Sequence, residues 1–272
     1  HRTTDSNNMH PEGQVFITRS AVFLPNAPVD NDNIERVLGM VGGKPSRARR
    51  LVLRNNGIRQ RHYAVDPASG KFTHSNAQLT AEAVRGLNGP AFDLAQIDCL
   101  ACGTSCPDQL MPNHGVMVHG ELGIPPCEVV ATGGICVSGI SALKYAWLAV
   151  RAGEAQHAVA TGSERASGGL LAQNFDPESA HRVLALETNP EIAFEKDFLR
   201  WMLSDGAGAF LLEAAPRPNS QSLRIDWIEI LSQADSMPVC MYAGGDKEAD
   251  GSLTGWQEYP PEARTTQSIF AV

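Results

Sequence analysis

The stretch from Val129 to Gly153, VVATGGICVSGISALKYAWLAVRAG, contains a cysteine whose neighbours could give it a chemical role. An apolar run leads through two glycines to Cys136, and apolar residues then recur at three-to-four-residue spacing. This pattern predicts a strand, a tight turn and a helix. Cys136 would then lie at or just before the first helical turn, where unpaired N–H groups and the helix dipole favour a thiolate over a thiol.

The residues around Cys136 are small enough for a substrate to approach its sulfur. Two glycines precede the cysteine, and Ser138, Gly139 and Ser141 follow it. The local pattern leaves two interpretations open. Cys136 is a candidate nucleophile, or it fills a small buried gap as free cysteines usually do.

A second group of residues has the spacing of metal ligands. Cys99, Cys102 and Cys106 are followed by His114 and His119. Cys99 and Cys102, however, fall three apart inside a predicted strand, so their side chains point to opposite faces. We therefore expect no metal site here.

The composition bounds the class of protein. The 272 residues are 43% hydrophobic and 19% charged, which is typical of a soluble globular protein of one large domain or two. The formal net charge is -8, which argues against nucleic acid as a partner. Six cysteines in a chain of this length favour reduced thiols over a disulfide scaffold.

The chain also lacks the signals of membrane insertion or export. No stretch approaches the ~18 consecutive apolar residues of a membrane span. The polar start HRTTDSNNMHPEG has no apolar region of a signal peptide. We expect no membrane association and a cytoplasmic location.

The remaining periodicity predicts an alternation of strands and helices. Strands are predicted over Gln14–Phe23, Ile97–Gly103, Ala155–Gly162, Ala207–Leu212 and Leu223–Leu231. Helices are predicted over Asn33–Met40, Asn76–Asn88 and Val116–Leu122. The polar segment from Gly168 to Lys196 is predicted to be a surface insertion. Asp205 is predicted to be structural, accepting backbone N–H bonds in the turn before the following strand.

The only basic cluster lies between Lys44 and Arg61. Its guanidinium groups could pair with the excess carboxylates of the protein or hold a phosphate. We favour the paired, solvated surface.

Three stretches together resemble the β-ketoacyl-ACP synthase III group of the thiolase superfamily. They are GIRQRHYA at Gly57–Ala64, GGICVSGISAL at Gly133–Leu143 and SDGAGAFLLE at Ser204–Glu213. The resemblance covers residues 14 to 231. The segment between Glu164 and Ser204 is most similar to the subgroup of aryl-polyene and dialkylresorcinol pathways.

The resemblance implies an α/β, thiolase-like fold with layers in the order αβαβα. Residues 14–214 would form the N-terminal half with the nucleophile cysteine, and residues 215–272 a linker and the start of a largely missing C-terminal half. It also implies a homodimer. Relatives take a His and usually an Asn from the second half, and none of the histidines from His10 to His181 occupies the matching place.

The implied function is that of a β-ketoacyl synthase in fatty acid or polyketide-type biosynthesis. Cys136 would accept an acyl group from a thioester, and a malonyl or β-ketoacyl thioester would then condense with it. Two alternatives remain: an acyltransferase of the same fold that never condenses, and a catalytically silent partner subunit. No cofactor is implied, because the acyl groups arrive on CoA or on phosphopantetheinyl-ACP.

The resemblance also assigns substrate-binding positions. Met111 matches the position that reaches into the acyl pocket of the dimer partner, where head-to-head condensing relatives carry a Glu. Ala166 and Leu203 match positions lining the subunit's own pocket, and the small Ala166 favours a longer or bulkier acyl chain. Leu51 and Asn55 stand where CoA-priming relatives have a Trp and an Arg. Nearby arginines could instead meet an acidic carrier protein; they are Arg47, Arg49, Arg50 and Arg54.

Overall fold

A computed structural model describes residues 13–46, 49–175, 199–237, 242, 244–247 and 250–258. The chain divides into two compact units. Unit 1 comprises His1–Pro25, His74–Arg165 and Gly206–Ile230. Unit 2 comprises Asn26–Thr73, Ala166–Asp205 and Leu231–Val272.

Strands and helices are numbered along the described part of the chain. The strands are β1 (Phe16–Phe23), β2 (Val29–Asp30), β3 (Gln60–Arg61), β4 (Cys99–Gly103), β5 (Glu128–Thr132), β6 (Ala158–Glu164), β7 (Gly206–Glu213), β8 (Leu223–Arg224), β9 (Gly245–Lys247) and β10 (Leu253–Gly255). The α-helices are α1 (Ile34–Leu38), α2 (Arg49–Asn56), α3 (Asn76–Arg85), α4 (His114–Leu122), α5 (Ser138–Arg151) and α6 (Ser167–Leu170).

Unit 1 is built on a mixed sheet of six strands in the order β5-β4-β6-β7-β1-β8. The three neighbours β5, β4 and β6 are parallel, whereas β7 is antiparallel to both β6 and β1. Because parallel strands end at the same edge of a sheet, the segments that follow β4, β5 and β6 meet there.

Helices cover both faces of this sheet. On one face, Ala142, Ala146 and Val150 of α5 pack with Ala101 and Ala160 in an apolar cluster. On the other face, α4 approaches β5 so closely that a Cβ on Gly115 would lie 2.8 Å from a Val129 methyl. Successive strand residues alternate between faces, which separates the α5 side from the α4 side.

The ends of these helices follow from local sequence. Ser75 caps α3 in a reciprocal capping box with Gln78. Asn113 caps α4, and Gly123, in the left-handed region, ends it. The predicted helices from Asn76 and over Val116–Leu122 are therefore confirmed, with ends shifted by a few residues.

The strand predictions are confirmed with one exception. β1, β4, β6 and β7 lie within or beside the predicted ranges, although β6 begins at Ala158 rather than Ala155. The strand predicted over Leu223–Leu231 is wrong, because only Leu223–Arg224 pairs with β1. Beyond it, Ile225 and Ile228 pack against the α5-side apolar cluster instead. The predicted surface insertion lies mostly in residues 176–198, outside the described residues.

Unit 2 has its own apolar cluster around the fully buried Trp201. Ile34 and Leu38 of α1, Val52 of α2 and Tyr63 contribute to it. Two short antiparallel pairs, β2 with β3 and β9 with β10, complete its described regular structure. In the described part of the chain, no helix is long and apolar enough to cross a lipid bilayer.

Candidate active site

Cys136 lies in a one-turn 3-10 helix, Ile135–Val137, that joins β5 to α5. β5 ends at Thr132 and α5 begins at Ser138, so the predicted strand, turn and helix are present. The side chain of Cys136 is exposed. It stands at the edge where the three parallel strands end and directly before α5, whose first N–H, that of Ser138, donates to the Ile135 carbonyl oxygen.

The turn that presents Cys136 is strained. Gly134 has a φ of 131° and Ile135 a φ of 53°, in the left-handed region that a β-branched residue rarely adopts. Such a conformation costs ~1–3 kcal/mol and persists only where surrounding contacts hold it. Here the Ser138 hydroxyl donates to the Ile135 carbonyl oxygen at 2.7 Å. Sequence reasoning missed this strain, because nothing local marks Ile135 as left-handed.

The start of α5 is pressed against the sheet. Thr132 donates its hydroxyl to the carbonyl oxygen of Ser138 at 2.9 Å. A Cβ on Gly139 would lie 3.2 Å from the Cα of Gly162 in β6. A Cβ on Gly103 in β4 would collide with the backbone of Ser138. The glycines of the GGICVSGISAL stretch and its neighbours therefore serve close backbone approach.

The other cysteines are in different environments. Cys99 and Cys102 are fully buried in β4, and burial raises the pKa of each thiol to about 12. Cys127 is half-buried, and desolvation raises the pKa of its thiol as well. These thiols stay protonated near neutral pH. Among the five free cysteines in the described residues, Cys136 is the exposed one.

The side chains of Cys99, Cys102 and Cys106, whose spacing resembles that of zinc ligands, do not form a cluster. Cys99 belongs to the apolar cluster on the α5 side, whereas Cys102 lies at the opposite parity of the same strand. Among the described residues, no three His, Cys, Asp or Glu side chains group as metal ligands would.

Met111 lies in the segment between β4 and α4, in unit 1. Its side chain is 84% exposed, and the neighbouring Leu110 is also exposed. Its role in a partner's acyl pocket stays a prediction.

Ala166 and Leu203, the other two predicted substrate-binding residues, lie in unit 2. Ala166 is buried in the apolar cluster around Trp201, and Leu203 packs against that cluster while partly buried. The structure thus brings these two positions into one apolar environment. Their role as pocket residues stays a prediction.

The basic cluster divides into a paired and an open part. Arg49 donates to Asp32 at 2.6 Å and lies 3.9 Å from Glu35, as the prediction of paired guanidinium groups requires. Arg50 and Arg54 are exposed on α2, and no carboxylate of the described residues pairs with them. Leu51 is exposed beside them. Asn55 is also exposed on α2, and Arg47 lies outside the described residues.

Asp205 has the structural role predicted for it. It is 2% exposed and accepts the Ala64 N–H at 2.7 Å and the Ser167 N–H at 2.8 Å. The Ser167 hydroxyl donates to the same carboxylate. Asp205 lies in an irregular segment directly before β7 rather than in the predicted turn, because β7 already begins at Gly206.

The described histidines include one that is fully enclosed. His114 places its Nε2 3.2 Å from the hydroxyls of both Thr80 and Ser163. Burial lowers the pKa of His114 to about 4, so the ring is neutral near pH 7. His157 lies 3.4 Å from Glu213, where β6 begins and β7 ends.

Comparison with known proteins finds relatives that align with most of this chain. The chain spans little more than half of the length of those relatives. The chain is 26% identical over 239 residues to the β-ketoacyl-[acyl-carrier-protein] synthase III of Bordetella petrii, covering 88% of this chain and 62% of that protein. The corresponding enzyme of Methylococcus capsulatus is 25% identical over 203 residues, covering 75% of this chain and 53% of that protein. No protein-family model matches the chain.

Solved structures agree on the fold. The 3-oxoacyl-(acyl carrier protein) synthase III, FabH, of Pseudomonas aeruginosa has a TM-score of 0.60 at 18% identity, covering 89% of this chain and 63% of that one. AbyA1, a tetronic acid condensing enzyme, has a TM-score of 0.56 at 25% identity, covering 76% of this chain and 54% of that one. In sequence the chain is similar to β-ketoacyl-ACP synthase III enzymes, and it has an α/β, thiolase-like fold.

Proposed function

We propose that this chain carries the nucleophile half of a condensing enzyme that uses Cys136 to bind acyl groups as a thioester. The observation that carries the proposal is the exposed cysteine on a strained turn, directly before the first N–H groups of α5. The relatives named β-ketoacyl-[acyl-carrier-protein] synthase III support this class of reaction.

The first half-reaction is transthioesterification. The Cys136 thiolate attacks the carbonyl carbon of an acyl thioester, and the carbonyl oxygen becomes an oxyanion. The backbone N–H of Cys136, at the start of a helix, is one donor for that oxyanion. Collapse of the tetrahedral intermediate breaks the original C–S bond, releases the CoA or carrier thiolate and leaves the acyl group on Cys136.

The second half-reaction is a decarboxylative Claisen condensation. A malonyl or β-ketoacyl thioester is the extender. A malonyl unit loses CO2 to give the carbanion, whereas a β-ketoacyl unit has no carboxyl group and gives it by losing to a base the proton on the carbon between its two carbonyls. The carbanion attacks the carbonyl carbon of the acyl-enzyme, and the Cys136 thiolate leaves. In relatives, a His and an Asn from a second half assist this step. Ile140 and Leu148 of α5 are apolar and exposed, and we propose that this second half covers them.

We further propose that the acyl donor arrives on an acidic carrier protein. Arg50 and Arg54 project from α2 beside the exposed Leu51, so the surface offers cations around an apolar contact. Leu51 and Asn55 offer neither the ring nor the guanidinium with which CoA-priming relatives hold adenine. A fatty acid or polyketide-type pathway is the context in which such a carrier occurs.

A homodimer is part of the proposal. β5 is the last strand of its sheet, with only β4 beside it among the described strands. The exposed Leu110 and Met111 lie in the segment that follows β4. An edge strand and exposed apolar side chains together favour association with a second copy.

The decisive test is the intact mass of the full chain after incubation with a panel of acyl-CoA and acyl-carrier thioesters, followed by peptide mapping. We expect a mass increase equal to the acyl group, mapped to Cys136, and its loss in Cys136→Ala. The matched control is Cys127→Ala, which removes a half-buried thiol and should keep the adduct. The panel also reports acyl length and donor.

The outcomes separate the alternatives. An adduct without chain extension when malonyl thioester is added indicates an acyltransferase that does not condense. Acylation that persists in Cys136→Ala contradicts the proposed nucleophile. The absence of any adduct, with equal iodoacetamide labelling of all thiols, indicates a catalytically silent subunit.

A further inference from the structure

The segment that follows β4 is held by a single carboxylate at the end of β6. Glu164 accepts the Ser105 N–H at 2.6 Å through Oε1. Through Oε2 it accepts the Cys106 N–H at 3.1 Å and the Thr104 hydroxyl at 3.1 Å. Three donors from three consecutive residues therefore converge on one side chain, which fixes this segment at the edge where Cys136 stands.

The same segment is tied to α3 on its other side. Asn76 donates its amide to the Thr104 hydroxyl oxygen and to the Cys106 carbonyl oxygen, each at 2.8 Å. Asp108 accepts the Asn76 N–H at 2.8 Å and lies 3.3 Å from Arg165. Because the segment is bonded from both sides, it has little freedom to follow a movement of its neighbours.

From this segment the bonding continues to the turn of Cys136. The Ser105 and Ser138 hydroxyl oxygens lie 3.4 Å apart. Ser138 already gives its only hydroxyl proton to the Ile135 carbonyl oxygen, so Ser105 is the donor between the two serines. Ser138 is buried, and its hydroxyl bonds the residue whose left-handed backbone aims Cys136.

A second connection runs through the backbone. The Thr104 N–H donates to the Thr132 carbonyl oxygen at 3.1 Å. The Thr132 hydroxyl in turn donates to the Ser138 carbonyl oxygen at 2.9 Å. The residues that Glu164 holds are thus connected to both ends of the strained turn, before and after Cys136.

We infer that Glu164 is a positioning residue for Cys136, acting through the segment 104–106 and Ser138. A left-handed Ile135 needs surrounding bonds to persist, and Glu164 anchors the group of bonds that supplies them. This inference rests on the proposed function for its chemical purpose. Its geometric content concerns the turn alone.

The test variant is Glu164→Gln, which keeps the size of the side chain but replaces one acceptor oxygen by an NH2 group. Whichever way the amide turns, its NH2 faces at least one of the three donors. The control is Glu213→Gln. Glu213 is also a half-buried carboxylate at a strand end and accepts Arg217 at 2.6 and 2.8 Å, but it lies at the opposite edge of the same sheet.

Two readouts need no substrate. In Glu164→Gln we expect faster hydrogen exchange of the amides of residues 104–106 and 133–138. We also expect the rate of Cys136 alkylation by iodoacetamide, relative to that of Cys127 in the same molecule, to fall by roughly tenfold, since the turn sets the exposure and surroundings on which thiol reactivity depends. Glu213→Gln should leave both quantities within about twofold of the unchanged protein.

The inference would be overturned if Glu164→Gln showed the same hydrogen-exchange and Cys136 alkylation rates as the unchanged protein. So would equal effects in Glu164→Gln and Glu213→Gln, because that result indicates general loss of stability. Where the unchanged protein forms the acyl adduct, Glu164→Gln should slow acylation at saturating thioester more than it raises the half-saturating concentration. A protein that forms no adduct refutes the proposed function while leaving the exchange and alkylation results interpretable.

Discussion

A Cβ atom on Gly103 would lie 2.2 Å from the carbonyl oxygen of Ser138, two residues after Cys136. Gly103 is the last residue of β4, and Ser138 is the first residue of α5. The contact is backbone against backbone, so no side chain can rotate away to relieve a larger residue. The helix that follows Cys136 can therefore take this position only if residue 103 is a glycine, which has a hydrogen atom in place of Cβ.

Gly103→Ala should displace the start of α5 and destabilise the protein. Overpacking of this kind costs ~1–3 kcal/mol, and here no flexible group can give way. We expect a lower melting temperature and slower alkylation of Cys136. The control is Gly120→Ala in α4, where an added Cβ meets nothing within 4 Å. Since Ala exceeds Gly in helix propensity, this control should stabilise the protein by up to ~1 kcal/mol. Equal melting temperatures for both variants would contradict the assignment.

The buried His114 should make stability depend on pH. Its pKa falls from an ordinary 6.5 to about 4 because burial disfavours the charged ring, while Asp108 opposes the shift. Between pH 6.5 and about 4, the unfolded chain therefore binds a proton on His114 that the folded chain does not bind. The free energy of unfolding has its full value above pH 6.5. It decreases by up to ~3 kcal/mol as the pH falls toward 4, at ~1.4 kcal/mol per pH unit.

The measurement is the free energy of unfolding between pH 7.5 and 4.5 for the unchanged protein and for His114→Gln. The variant should lose less stability over this range, because the titrating group is gone. His119→Gln, on the same helix but only half-buried, should follow the unchanged protein. Parallel pH profiles for all three proteins would show that His114 does not titrate as described.

Asp205→Ala should be strongly destabilising. The substitution leaves the N–H groups of Ala64 and Ser167 and the Ser167 hydroxyl without the carboxylate that accepts them. Each buried donor left unsatisfied costs ~1–3 kcal/mol, so we expect a loss of about 3–5 kcal/mol in denaturant unfolding. Asp226→Ala removes a carboxylate whose pairing with Arg224 is exposed and should cost under ~1 kcal/mol. A similar loss in both variants would be inconsistent with the role of Asp205.

The double charge reversal Arg50→Glu and Arg54→Glu should weaken binding of an acidic carrier protein. Exposed pairs contribute ~0.2–1 kcal/mol each, so the loss of two such pairs should raise Kd by roughly 2- to 30-fold at low salt. Added salt should reduce the difference in Kd between the double variant and the unchanged protein, because salt screens exposed charges. Arg85→Glu, an exposed arginine paired with Glu82 on α3, is the control and should bind as the unchanged protein does. An unchanged Kd in the double variant would remove α2 from the docking surface.

The sequence alone determined the elements whose signals are local. The composition of Asn76–Asn88 predicted α3, and the glycines before Cys136 predicted a turn between a strand and a helix. Composition and the helical spacing of apolar residues are both local features, so they can be read without knowledge of the fold. The resemblance to β-ketoacyl-ACP synthase III was likewise carried by three short stretches in order.

The tertiary structure decided what depends on partners distant in the chain. Alternation over Leu223–Leu231 could not reveal that only two residues find a strand to pair with, while Ile225 and Ile228 pack on the α5-side cluster. The left-handed Ile135 and the three donors on Glu164 also have no local signal. Both arise where segments 30 to 60 residues apart are pressed together at one sheet edge, and only the folded chain brings those backbones into contact.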